Sequence, residues 1–192
     1  MDDSNKLQRI LKEQSVAKAS DLAKQGISRL QLSRQASSGD IISLGAGYYA
    51  HQSLDPFTAS IIAVTRQFPD AVISKATALV IHQISDERID QVDIDISRLT
   101  SVRNKLVRAH RVTENYRVGV EEIDFHGETI RIYDIERSLS EAFKMGPDSE
   151  LFLKTIKRYS SKGLPQYEKI ADYDRLLSTN VLRAVRQEMA DD

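Results

Sequence analysis

The sequence predicts an α+β fold, with an N-terminal winged helix-turn-helix followed by a mixed α/β domain whose last third is helical. Three observations predict it. A helix start at Ser28 follows a glycine corner at Gly26, and two β-rich runs then flank Gly45-Ala46-Gly47. Further on, Val92, Ile94 and Ile96 alternate with polar residues, and from about residue 135 the apolar spacing is helical only. The pattern divides the chain into domains at residues 4–54 and 55–192.

Leu7, Ile10 and Leu11 recur at i, i+3, i+4, so Lys6 to Gln14 reads as an amphipathic helix. A short helix from a Ser20 N-cap to Gln25 buries Leu22, and Gly26 supplies the left-handed residue that ends it. In Gly26-Ile27-Ser28-Arg29-Leu30-Gln31-Leu32, Ser28 as N-cap puts Gln31 at the third helical position, completing a capping box. Ile27 and Leu32 then form a hydrophobic staple. This third helix runs to about Ser38, with Gly39 past its end. Two short helices joined by a tight turn make a helix-turn-helix, and the hairpin about Gly45 and Gly47 makes its wing.

Beyond Asp55-Pro56, helices are expected at Phe57 to Gln67 and from a Ser74 cap to Gln83. Strands are expected at Val92–Ile96, Lys105–Val112, Tyr116–Phe125 and Thr129–Tyr133, the last two joined by a turn at His126-Gly127. Helices follow at Ile135–Lys144, Asp148–Ser160, Gln166–Leu177 and Thr179–Ala190, separated by Gly146-Pro147 and Gly163-Leu164-Pro165. In the second of these the spacing of Leu151, Leu153, Ile156 and Tyr159 points to core, with a partner's surface as the alternative.

Charge is uneven although the net is only −1. Residues 4–54 carry seven basic against three acidic side chains, and residues 55–192 carry 20 against 23. A basic head on an acidic body suits nucleic acid at one end. No cysteine is present, which excludes disulfides and thiolate metal sites. The polar start Met1-Asp2-Asp3-Ser4 is unlike a signal peptide, and no apolar run approaches the roughly 20 residues of a membrane span. A cytoplasmic protein without membrane contact is expected.

In a helix-turn-helix the start of the second helix enters the major groove. Here that turns Arg29, Gln31, Ser33 and Arg34 outward, with Gln35 at the margin. Arginine can bond guanine O6 and N7 together, and glutamine can bond adenine N6 and N7. Ser28 at the helix start suits a phosphate oxygen, as do Lys18, Lys24 and the backbone of Gly45 in the wing. The double-stranded DNA contacts expected from the residues are therefore Ser28, Arg29, Gln31, Ser33, Arg34, Gln35, Lys18, Lys24 and Gly45. A solvated helix face is the bland alternative, and Gln31 has a competing role in its cap.

The stretch from Ala19-Ser20-Asp21-Leu22-Ala23 through Ser28-Arg29 to Gly45-Ala46-Gly47-Tyr48-Tyr49 resembles the N-terminal domain of AbiEi-type antitoxins. Ser74-Lys75-Ala76-Thr77-Ala78-Leu79-Val80-Ile81-His82, Gly119-Val120-Glu121 and Ile135-Glu136-Arg137-Ser138-Leu139 likewise resemble that family's second domain. Such proteins are the autorepressor halves of type IV toxin–antitoxin and abortive-infection systems. The resemblance implies a transcriptional repressor that binds inverted repeats in its own promoter. It also implies an antitoxin acting, without a stable complex, against a nucleotidyltransferase-like toxin. The family's wing often carries arginines, whereas Ser43 and Ala46 stand at the corresponding positions.

Signals for enzymatic activity are weak. Asp93 and Asp95 have the spacing of a metal-binding carboxylate pair on one strand face, but no Gly-Ser phosphate loop precedes them, and a solvent-exposed face is expected. His51, His82, His110 and His126 are scattered, with no metal-ligand spacing. His82, ending a helix, would complement the helix dipole when protonated, and Asp134 or Glu136 would do so at a helix start. No enzyme, cofactor or metal is expected. The alternatives are a stand-alone regulator whose second domain senses a ligand or mediates assembly, and a metal-dependent nuclease using Asp93 and Asp95.

Overall fold

The computed structural model describes residues 3–163 and 165–191. The expectations about Met1, Asp2 and Leu164 lie outside the described residues.

The first unit runs α1 (Asp3–Gln14), β1 (Val16–Lys18), α2 (Ala19–Lys24), α3 (Arg29–Ser38), β2 (Ile41–Ser43) and β3 (Tyr48–His51). Its sheet is antiparallel in the order β1-β3-β2. Leu7, Ile10 and Leu11 from α1, Leu22 from α2 and Ile27 and Leu32 at α3 close one apolar cluster with Ile41. The capping box forms: the Gln31 backbone N–H donates to Ser28 Oγ at 3.2 Å, and the Ser28 N–H donates to Gln31 Oε1 at 2.7 Å. Gly26 and Gly39 both adopt positive φ, at 85° and 82°, where a side chain would be strained.

The second unit runs α4 (Pro56–Gln67), β4 (Val72–Ile73), α5 (Lys75–Ile81), β5 (Val92–Ser97), β6 (Val107–Val112), β7 (Val120–Phe125) and β8 (Glu128–Tyr133). Four helices follow: α6 (Ile135–Met145), α7 (Glu150–Ser161), α8 (Tyr167–Leu177) and α9 (Val181–Asp191). The chain is thus a mixed α+β protein with a helical C-terminal region. Its larger sheet has the order β6-β5-β4-β8-β7, with β4 antiparallel to β5 and parallel to β8. One face of that sheet is apolar: Val92, Ile94, Ile96, Ile130 and Ile132 pack on Ile61 and Val64 of α4. The other face carries Asp93, Asp95 and Tyr133 and is roofed by α5 and α6, which also share a core with α7 and α9.

The two units share a further cluster. Val16, Leu44, Tyr48 and Ala50 pack against Ala59, Ile62 and Ala63 of α4. Arg66 reinforces the contact: it donates to the Val16 carbonyl and pairs with Glu128 at 2.6 Å.

Several local expectations need correction. β1 and β4, three and two residues long, have no counterpart among the expected strands. α2 starts before Ser20, with Lys18 at its N-cap and no capping side chain, because Lys18 is held in β1 by pairing with Tyr48. Ser74 occupies the N-cap of α5 without a side-chain cap bond. β7 begins at Val120, since Glu114–Tyr116 is a 3₁₀ turn. Of the α7 stripe, Ile156 and Tyr159 are core while Leu153 is 56% exposed. Among the described residues no helix is long and apolar enough to cross a membrane.

Candidate nucleic-acid interface

A surface that reads duplex DNA needs side chains held on a rigid element with their polar ends free. α3 supplies the element, since its start is fixed by the cap and its inner side by Leu32 and Ile27. Arg29, Ser33 and Arg34 are exposed on its outer side, and among the described residues neither arginine has an ion-pair or hydrogen-bond partner. Leu30 is 59% exposed beside them, an apolar group left in water on the leading turn. Ser28 is exposed too, although its hydroxyl already accepts a bond from the helix.

The glutamines are less free. Gln31 Oε1 is turned back to the Ser28 N–H, so a two-pronged contact with adenine competes with the box. Gln35 is half-buried, and its Oε1 accepts from Gln8 Nε2 of α1 at 3.4 Å. Lys24 pairs with Asp21 at 2.8 Å in solvent, where such a pair opens easily. Lys18 is exposed and lies 5.8 Å over the Tyr48 ring.

The turn between β2 and β3 runs through Gly45, Ala46 and Gly47, all at positive φ. One side of Gly45 is closed by the second unit, because a Cβ there would stand 2.8 Å from Asn104 Oδ1. Asn104 is buried and donates from Nδ2 to Gln67 Oε1 at 2.9 Å. Its chain neighbours Arg103 and Lys105 are exposed, and the turn itself carries no cation. Sequence reasoning misses them, since 59 residues separate Gly45 from Asn104 in the chain and no local pattern links the two.

The carboxylate pair is placed otherwise than expected. Asp93 and Asp95 are buried, 2% and 0% exposed, because α5 and α6 cover that face. Asp93 accepts from His110 Nε2 at 2.8 Å, and Thr77 Oγ1 accepts from its backbone N–H at 2.9 Å. Asp95 accepts from the Tyr133 hydroxyl at 2.8 Å, and burial pushes its carboxyl above the usual range despite that bond. Asp95 Oδ1 and Ser74 Oγ lack geometrically sound partners there.

Next to it Arg137, fully buried, pairs with Glu141 at 2.5 Å and stacks on Tyr133 and Tyr116. Lys75 also pairs with Glu141, from a backbone held at φ 52°. Burial disfavours the Glu141 carboxylate, but Arg137 and Lys75 outweigh it and hold it below the usual range. Burial and that carboxylate push Tyr116 up to about 12. The layer continues through Asp134, which caps α6, and Glu136, which accepts from Tyr159 at 2.9 Å and meets Lys169 at 3.0 Å.

The histidines stay apart. His51 is buried against Ser53, and His82 Nε2 contacts the Tyr133 carbonyl at 2.7 Å instead of facing a helix end in solvent. His126 is a turn residue at φ 53°. Among the described residues no three His, Cys, Asp or Glu side chains are placed to hold one metal ion.

No protein-family model matches the chain, and no curated protein is significantly similar to it.

Proposed function

We propose that residues 4–54 act as a winged helix-turn-helix on double-stranded DNA, and that the chain regulates transcription. The observation that carries this reading is the outer side of α3, where Arg29 and Arg34 stand exposed and unpaired on a helix with a fixed start. Its order of elements supports the reading: helix, strand, two helices and a hairpin on a three-stranded sheet. In this role Arg29 and Arg34 meet guanine edges or phosphates, Leu30 and Ser33 touch the groove, and Ser28, Lys18 and Lys24 lie near the backbone. Arg103 and Lys105 supply the cations that the wing lacks.

Exchanging Arg29 and Arg34 together for alanine removes two guanidiniums that have no ion-pair or hydrogen-bond partner among the described residues. Binding to the DNA upstream of the chain's own coding sequence, followed by mobility shift, is expected to be lost. Circular dichroism and melting are expected to stay the same. Unchanged binding by the double variant refutes the assignment.

The resemblance to AbiEi-type antitoxins extends the proposal to autorepression and to neutralising a nucleotidyltransferase-like toxin through residues 55–192. Co-expression with the neighbouring gene tests that part: rescue of growth is expected, and a neighbour harmless on its own removes it.

A further inference from the structure

A cleft of about 420 Å³ opens beside the larger sheet, between the residues after α4, the end of β5 and strand β8. Two arginines converge in it. The Arg117 side chain is 9% exposed, and one of its terminal nitrogens donates to the Asp70 carbonyl. Arg131 Nη1 donates to the same oxygen at 3.2 Å. Two guanidiniums thus meet on one neutral acceptor. Arg117 has one carboxylate partner, Glu114 at 3.1 Å, and that partner is 74% exposed, so the pair is screened and weak. Asp70 and Glu114 both line the cleft, and among the described residues Asp70 forms an ion pair with neither arginine.

Arg117 Nε is shielded from solvent and has no partner. An orphaned buried donor is unfavourable, and native proteins hold few of them. The cleft is also lined by the hydroxyl residues Ser97 and Thr100 and by the half-buried Phe68. Convergent donors over an apolar floor, in a space of this size, are the features of a small-molecule site.

We infer that this cleft binds a small organic oxyanion, with the charged oxygens on Arg117 and Arg131 and the apolar body against Phe68. A planar two-oxygen or tetrahedral oxyanion can accept two parallel N–H bonds from one guanidinium, the paired geometry that arginine favours. The hydroxyls of Ser97 and Thr100 complete the shell. The oxyanion site stands on its own geometry and does not rest on the DNA-binding reading of α3.

Phenyl phosphate and benzoate are the probes, titrated into the full-length protein by calorimetry, with inorganic phosphate to measure the share of the apolar body. At least one organic probe is expected to saturate a single site and to bind more tightly than inorganic phosphate. Arg131→Gln and Thr100→Val are each expected to weaken it about tenfold, the size of one lost charged or polar contact. The nitrogen-15 resonance of the Arg117 side-chain N–H gives a second readout, and it is expected to shift on saturation. Arg117→Gln removes a buried group and tests folding as much as binding, so Arg131→Gln and Thr100→Val are the deciding variants. No saturation by either organic probe up to about 10 mM overturns the proposal. Saturation that is indifferent to Arg131→Gln, or that leaves the Arg117 resonance in place, overturns it equally.

Discussion

Asp95 and Glu141 are carboxylates under the same helices, and their surroundings drive them in opposite directions. Burial raises Asp95, whereas Arg137 and Lys75 lower Glu141 against burial. A carboxyl raised in the folded state favours folding when protonated, so its contribution falls as pH rises through the folded value. Asp95→Asn removes that penalty, and its amide gains a donor beside Ser74 Oγ. The variant is expected to melt above wild type at pH 7, with the gap closing as pH approaches about 4, by calorimetry. Glu141 has the opposite sign: its contribution is full above its unfolded value and is lost as pH falls through the lowered folded one. Glu141→Gln leaves Arg137 buried without its counter-charge and is expected to cost about 3–5 kcal/mol at pH 7 in urea unfolding. The alternation in Val92 to Ile96 is legible as a strand, but on its own it implies a polar side turned to water. The groups that satisfy that side, Thr77, His110 and Tyr133, come from three other elements, and a single strand carries no trace of them.

Among the elements, α3 is the most legible because its signals are local. Cap, box partner and staple lie within six residues, and each appears in the structure as the sequence requires. Ser28→Ala breaks one half of the box and is expected to cost about 1 kcal/mol of global stability in urea unfolding. If Ser28 contributes no more to DNA than a capped helix start, the affinity loss should follow that stability change and not exceed it. Short strands are illegible for the opposite reason. β1 and β4 exist because neighbours pair with them, Tyr48 to Ala50 in one case and Ile94, Asp95 and Ile132 in the other. Two or three residues cannot display a period.

Across the whole molecule, the boundary after residue 54 falls inside a shared cluster. Val16, Leu44 and Tyr48 bury their side chains against α4. Burial of one such side chain is worth about 1.5–3 kcal/mol, and units under about 60 residues have little stability to spare. A fragment ending at residue 54 is therefore expected to lack a cooperative melt, and one ending after α4, near Phe68, to recover part of it. A sharp melt by the shorter fragment would show that this cluster adds nothing essential.

Gln67 borders the oxyanion cleft with one side and holds Asn104 with the other, and Asn104 in turn abuts Gly45. An occupant that shifts this glutamine also shifts the turn at the far end of the strut. Linkage is reciprocal at equilibrium: a nucleic acid gripping the hairpin would retune the pocket's avidity by the same factor by which the pocket's guest retunes its hold.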